Sequence, residues 1–274
     1  MDCRLGNQLF QYAFIKAISE KFGTSFFINE KAERFILPEF FNLAAYHPFT
    51  NKINKLILKM QQEDPLRSMQ NINIGEFTAG IEDIFQDKAI YKGYFQSELF
   101  FKNISDRLTA YITVKEKYTE EFNKKYLDMF RSNRTVTVHV RRGDYLNLND
   151  WWAQNMGSNN LTLPTSYYLN CLSQITEKKS YKIIFISDDI DFVRSEFSHI
   201  ENAEFSGNDI MTDFQLLMNA DIGIISQSSF AWWAAYLNPK ANKKIFCPEN
   251  WLGFKVNREY PAHIIPAGWE KVAV

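Results

Sequence analysis

The sequence predicts an α/β protein built on a parallel sheet with helices on both faces. In its second half, β-branched apolar runs alternate with segments of helical periodicity. Hydrophobic residues make up 46% of the 274 residues while Gly (11) and Pro (8) are scarce, which favours packed regular structure. A chain of this length forms one large or two small domains and buries a core without disulfide or metal staples.

Residues 5–22 (LGNQLFQYAFIKAISEKF) set Leu9, Phe10, Ala13, Phe14, Ala17, Ile18 and Phe22 at i, i+3, i+4 spacing, predicting an amphipathic helix that Gly23 ends. Residues 24–28 (TSFFI) read as a buried strand. Residues 51–62 read as a helix, broken by Asp64-Pro65. Residues 89–101 (AIYKGYFQSELFF) read as a strand turning into a helix, and 115–130 as a charged surface helix. Ser132-Asn133 is the expected linker between domains 1–131 and 132–274.

The second half is clearer. Strands are expected at 135–140 (TVTVHV), 181–187 (YKIIFIS), 222–226 and 244–247, the last stopped by Pro248. Helices are expected at 166–175, 190–197 and 230–237, and from a T-x-x-Q capping box at Thr212 and Gln215 to Ala220.

Composition excludes several classes. Lys+Arg (31) balances Asp+Glu (32), for a net charge of -1, which disfavours nucleic-acid and membrane-surface binding. Cys3, Cys171 and Cys247 are distant and odd in number, so no disulfide framework is expected. His47, His139, His199 and His263 show no metal-binding spacing. No apolar run approaches membrane-spanning length and no signal segment opens the chain, so a cytoplasmic protein is expected. Aromatics reach 16%, offering faces on which sugars or bases stack.

Ligands of parallel α/β sheets bind beyond the carboxyl ends of the strands, and three polar clusters sit there. Arg141 and Arg142, in HVRRGDY after the strand 135–140, suit a phosphate through the guanidinium fork; a structural Arg–Asp pair is the alternative. Arg142-Gly143-Asp144 also spells an adhesion tripeptide, but it abuts a core strand. Asp188-Asp189 follows the strand 181–187 and suits a divalent metal, a guanine or ribose, or the cap of the next helix. Ser226-Gln227-Ser228-Ser229 precedes a helix whose amino terminus favours an anion; plain N-capping is the alternative. Together the clusters describe a nucleotide diphosphate site. Walker, GxGxxG and GxSxG motifs are absent from the sequence, which turns the reading towards a nucleotide sugar.

Four stretches resemble the α1,2-fucosyltransferase family of inverting glycosyltransferases: 5–14 (LGNQLFQYAF), 93–98 (GYFQSE), 139–145 (HVRRGDY) and 226–237 (SQSSFAWWAAYL). FISDD at 185–189 and Asp221 agree in position and order. The resemblance implies a GT-B-like fold, two Rossmann-like domains with a cleft between them. It implies transfer of fucose from GDP-fucose to the 2-hydroxyl of a β-galactoside, with no metal or other cofactor. Arg141 would face the diphosphate with Arg142 nearby. His139 and Asp188 or Asp189 would lie near guanine and ribose, and Ser228 and Ser229 under the phosphates. Asn7 and its neighbour Gln8 would serve the acceptor side. Asp144 and Asp150 are candidate bases, with orientation of an arginine the alternative for Asp144. Trp151, Trp152, Tyr94 and Phe95 are candidates for stacking on the acceptor galactose, with core or cleft-wall packing the favoured role for any single one, and core packing is expected of Trp232 and Trp233.

The family carries a strand and two glycines before LGNQ where this sequence has Met1-Asp2-Cys3-Arg4. A missing first strand or a truncated chain is therefore expected. The membrane anchor of animal members is also missing from the sequence, so the resemblance is to a bacterial-type cytoplasmic enzyme, with a peripheral inner-membrane location as a variant of it.

Overall fold

The computed structural model describes residues 4–28, 34–60, 70–74 and 85–274. The chain divides into two compact units, Met1–Lys115 with Pro261–Ile264, and Glu116–Tyr260 with Ile265–Val274. The expectations about residues 1–3 and about a break at Asp64-Pro65 lie outside the described residues.

The first unit contains α1 (Leu5–Phe22), α2 (Leu37–Phe40), β1 (Phe41–Leu43), α3 (Pro48–Met60), β2 (Gln70–Ile74) and β3 (Ala89–Gly93). A 3-10 segment (Glu98–Arg107), α4 (Leu108–Tyr111) and β4 (Ile112–Val114) follow. β1 pairs antiparallel with β4, and β2 pairs parallel with β3.

Helix α1 runs as its apolar spacing predicts and ends where Gly23 turns left-handed at φ +62. It is more deeply set than an amphipathic stripe requires. Gln8, Lys16 and Ser19 are buried along with Leu9, Phe10, Ala13, Phe14, Ala17 and Ile18, while Phe22, counted in the stripe, is exposed. Phe14 stacks on Phe95 at 3.9 Å, and Tyr91 meets its edge at 4.9 Å. Phe95 is thus a core residue and not an acceptor platform, whereas Tyr94 beside it is exposed.

Residues 24–28 are no strand. Their backbone groups bond side chains of α3 instead of a neighbouring strand: Asn51 accepts from Ile28 N–H and donates to Ile28 C=O, and Asn54 donates to Phe26 C=O.

The second unit is a six-stranded parallel sheet of order β10-β9-β8-β5-β6-β7. Its strands are β5 (Arg134–Val140), β6 (Tyr181–Ser187), β7 (Ala203–Phe205), β8 (Ile222–Ile224), β9 (Lys244–Pro248) and β10 (Glu270–Val272). Its helices are α5 (Glu116–Ser132), α6 (Asp150–Met156), α7 (Thr165–Ser173), α8 (Ile190–Phe197), α9 (Ile210–Asn219) and α10 (Ser229–Tyr236). The chain builds outward from β5 through β6 to β7, then returns to the other side of β5 for β8. That is the doubly wound order, and it puts a crevice beyond the carboxyl ends of β5 and β8. Val136, Val138, Ile183, Phe185, Ile224 and Phe246 are among the strand residues that build the core.

Three boundaries differ from expectation. α5 belongs to the second unit, so the division falls after Lys115 and not after residue 131; α5 runs to Ser132 and β5 starts at Arg134, leaving no linker there. α9 is capped by Asp209, which accepts from Met211 and Thr212 N–H; Thr212 lies inside the helix and donates its hydroxyl back to Asp209. Strand β8 stops at Ile224, two residues early.

Candidate active site

The parallel register of β5 and β6 pairs Val140 with Ser187, so Arg141-Arg142 and Asp188-Asp189 leave the sheet side by side. Two clusters far apart in sequence become one. Arg141 Nη1 lies 2.7 Å from Asp188 and Nη2 lies 2.5 Å from Asp144, while Arg142 Nε lies 2.9 Å from Asp189. Asp188 also accepts from the Arg142 backbone N–H at 2.9 Å.

The two arginines differ. The Arg142 guanidinium lies flat against Phe192, 3.4 Å from its ring centre. Its partner Asp189 caps α8 by accepting from Phe192 N–H. The hydrogen bond from Arg142 holds the Asp189 carboxyl below its ordinary pKa, with Phe192 N–H adding to the effect. Arg142 therefore fastens the β6–α8 turn. Arg141 is held by two carboxylates, one of them, Asp144, close to half exposed, and its guanidinium lies farther from a ring, 5.6 Å from the centre of Tyr145, so it is the arginine able to change partners. Gly143, which follows them, has φ +24, and a Cβ there would overlap Asp188 Oδ2, so glycine leaves room for the Asp188 carboxylate beside Arg141.

β8 supplies the other wall. Ser226 N–H donates to His139 C=O at 3.2 Å, and the Ser226 hydroxyl shares a 2.8 Å hydrogen bond with His139 Nδ1. Burial lowers the His139 pKa to about 4, against the opposing charge of Asp188, so the ring is neutral. Gln227 is buried: its side-chain amide donates to Leu161 C=O, and its C=O accepts from the Tyr145 hydroxyl at 3.1 Å. Ser228 ends the loop in extended conformation without a side-chain cap bond, and Ser229 opens α10. The first N–H groups of a helix have no partner within it, which suits this end of α10 to an anion.

The loop after Gly143 is closed on itself by backbone hydrogen bonds. Leu161 N–H donates to Tyr145 C=O at 2.9 Å and Leu148 N–H to Asn159 C=O at 2.7 Å. It carries α6, in whose first turn Asp150 is exposed. Trp151 and Trp152 meet edge to face at 5.1 Å, and Tyr260 joins them at 5.8 and 6.0 Å. Trp151 is exposed, which suits it to stacking, whereas Trp232 and Trp233 are fully buried in the core.

In the first unit Asn7 accepts from the Gln96 side chain at 2.8 Å and Gln11 donates to Gly93 C=O at 2.9 Å, which brings LGNQ and GYFQSE together. Gln8 does not fit its expected acceptor role. It is fully buried, donates to Arg34 C=O and accepts from Ile36 N–H, both at 2.9 Å, and so spends its amide on the chain itself. Asp221 sits at the opposite end of the sheet, held by Thr135 N–H and Lys240, and is structural.

Tyr145, Phe192 and Tyr260 were not singled out individually from the sequence. Tyr145 lay within the HVRRGDY motif; the other two carry no local signal, because stacking partners become visible only in three dimensions. A further polar group lies beyond β7, where Ser206 donates to Asp213, which burial raises to about pKa 6. Among the described residues, no group of three His, Cys, Asp or Glu side chains is placed to hold a metal ion.

Residues 1–260 match the sequence profile described as Glycosyl transferase family 11. The chain is 26% identical to an alpha-1,2-colitosyltransferase of Escherichia coli, over 90% of this chain and 95% of that one. It is also 26% identical to galactoside alpha-(1,2)-fucosyltransferase 1 of Leontocebus fuscicollis, over 86% of this chain and 64% of that one. The fold is shared with the fucosyltransferase NodZ from Bradyrhizobium, at TM-score 0.51 and 14% identity, covering 85% of this chain and 89% of the other.

Proposed function

The chain belongs to glycosyl transferase family 11, and from that premise we propose that it is an inverting transferase moving L-fucose from GDP-L-fucose to the 2-hydroxyl of a terminal β-galactoside. The observation that carries the reading is the position of Arg141 just past the carboxyl end of β5, next to β8, whose own carboxyl end leads into the amino terminus of α10. Both present positive charge where negative charge develops on the β-phosphate as the bond to the sugar breaks.

In this mechanism the acceptor oxygen attacks the anomeric carbon from the face opposite the phosphate, and the bond to the phosphate breaks with its electron pair. The diphosphate departs onto Arg141, and configuration inverts. Asp144 takes the acceptor proton, because it touches Arg141 and is released when the guanidinium turns to the phosphate. Asp150 sits in the first turn of α6, where a carboxylate serves the helix dipole. Neutral His139 and Ser226 form one buried wall, and in this reading Asp188 accepts from ribose or guanine. Trp151, with Trp152 and Tyr260 behind it, offers the acceptor an apolar face. No metal takes part: Asp188 and Asp189 are already neutralised by arginines, and a chelator is expected to leave turnover unchanged.

A second donor is favoured by one observation, the similarity to an alpha-1,2-colitosyltransferase over nearly the whole of both chains. The deciding experiment measures GDP release from several GDP-sugars, with and without β-galactosides, and locates the new linkage by NMR. GDP-fucose turnover dependent on a galactoside supports the first reading. Turnover of another GDP-sugar alone replaces the donor, and a linkage elsewhere than the 2-hydroxyl replaces the regiochemistry.

A further inference from the structure

Helix α3 of the first unit is inverted relative to the usual surface helix. Its two asparagines face the protein: Asn51 is buried and bonds Ile28 through both amide atoms, at 2.6 and 3.0 Å, and Asn54 bonds Phe26 C=O at 2.9 Å. Its large apolar residues face outward, with Phe49 67% exposed, Leu56 57%, Ile57 47% and Ile53 38%. At 100° per residue these four fall within one stripe about 100° wide. Exposed Lys52 and half-buried Lys55 lie along one flank of that stripe, and the helix sequence (PFTNKINKLILKM) contains a third lysine and no acidic residue.

We propose that this face of α3 docks the protein on an anionic lipid surface, with the apolar stripe in the interface and the lysines at the headgroups. The combination of an exposed apolar stripe, a cationic flank and no acidic residue is the chemistry of helices that lie in such an interface. At 13 residues, roughly 20 Å, the helix lies on a bilayer and does not cross it. Among the described residues no helix is long and apolar enough to span a membrane. The net charge of -1 argues against a membrane surface only when it is averaged over the chain; here the positive charge is local.

The test uses the full chain and sedimentation with vesicles. Wild-type protein is expected to sediment with vesicles of phosphatidylglycerol and phosphatidylcholine in equal parts, to stay in solution with phosphatidylcholine alone, and to be released by salt. Lys52→Glu/Lys55→Glu is expected to weaken binding at least ~10-fold, since each lysine at such a surface contributes about fivefold. Leu56→Glu/Ile57→Glu is expected to remove it, with thermal midpoint and GDP affinity unchanged in both variants because the side chains are exposed or peripheral. If the apolar variant misfolds, the lysine variant decides. Wild type that does not sediment, equal binding to neutral vesicles, or undiminished binding by the lysine variant overturns the proposal. So does self-association in solution, without vesicle binding, that Leu56→Glu/Ile57→Glu abolishes, which would assign the face to a second copy.

Discussion

Arg141 closes on Asp144 at 2.5 Å, and its other Nη atom is already held by Asp188. The local cluster of Arg141, Arg142, Asp144, Asp188 and Asp189 has two cations and three carboxylates, so an incoming diphosphate must displace a carboxylate to reach Arg141. Asp144 is the more exposed of the two partners. Asp144→Asn is therefore expected to bind GDP about two- to fivefold more tightly, the scale of a partly exposed ion pair. The same variant is expected to transfer sugar on the order of 100-fold more slowly, because the amide cannot take the acceptor proton. Titration calorimetry and single-turnover kinetics separate the two effects. Weaker GDP binding would instead make Asp144 a residue that orients Arg141. Arg141→Lys, which replaces a fork by a point charge, is expected to lose at least ~10-fold in turnover.

Gly143 allows this geometry. A methyl group there would push Asp188 from Arg141 while also straining a residue at φ +24. Gly143→Ala is expected to cost about 1–3 kcal/mol of stability and to lower kcat/KM about tenfold. Thermal unfolding and initial rates check both. A variant of normal stability and activity would show that the strand ends tolerate separation.

Gln8 gives a test of structure against chemistry within the LGNQ stretch. Gln8→Ala removes a buried side chain, leaves Arg34 C=O and Ile36 N–H without this partner in a part-buried site, and is expected to destabilise the protein by about 1–3 kcal/mol. The thermal midpoint should fall with it. A normal midpoint accompanied by a raised KM for the acceptor would return Gln8 to the acceptor side.

The sheet of the second unit was legible because β5 and β6 are β-branched or aromatic runs that lead into charged residues, and β9 is a short apolar run closing on Pro248. The site was legible in three pieces, and the register of Val140 against Ser187 joins two of them. The edge strands β7 and β10 were not legible, being three residues each with mixed polarity. TSFFI has strand composition, yet its backbone finds partners in the asparagines of α3, a tertiary choice that propensity does not encode. The unit boundary was misplaced because α5 looks like a charged surface helix, whereas Phe122 is buried and the helix packs within the second unit. Gln8 and Asn7 are adjacent amides of similar chemistry; only burial distinguishes the structural one.

The His139 ring sets a pH dependence whose sign can be worked out. Its folded pKa is about 4 against an ordinary 6.5, so between these values the unfolded chain holds a proton that the native protein does not. Stability contributed by the neutral ring is complete above pH 6.5 and is lost as pH falls towards 4, by roughly 3 kcal/mol over the window. Asp213 works in the opposite direction. Its folded pKa of about 6 exceeds the ordinary 3.8, so its contribution is complete below pH 3.8 and is lost as pH rises through 6. The two offset each other in the wild type, which is expected to show a shallow profile between pH 4 and 6. His139→Gln retains a partner for Ser226 but does not titrate. Its stability deficit relative to wild type should therefore shrink by about 3 kcal/mol between pH 7 and pH 4, as read from urea unfolding at each pH. Asp213→Asn should show the reverse, gaining on wild type as pH rises from 4 to 7. A deficit for His139→Gln that stays constant across this range would mean that His139 titrates alike in the folded and unfolded chain and is not held neutral beside Ser226.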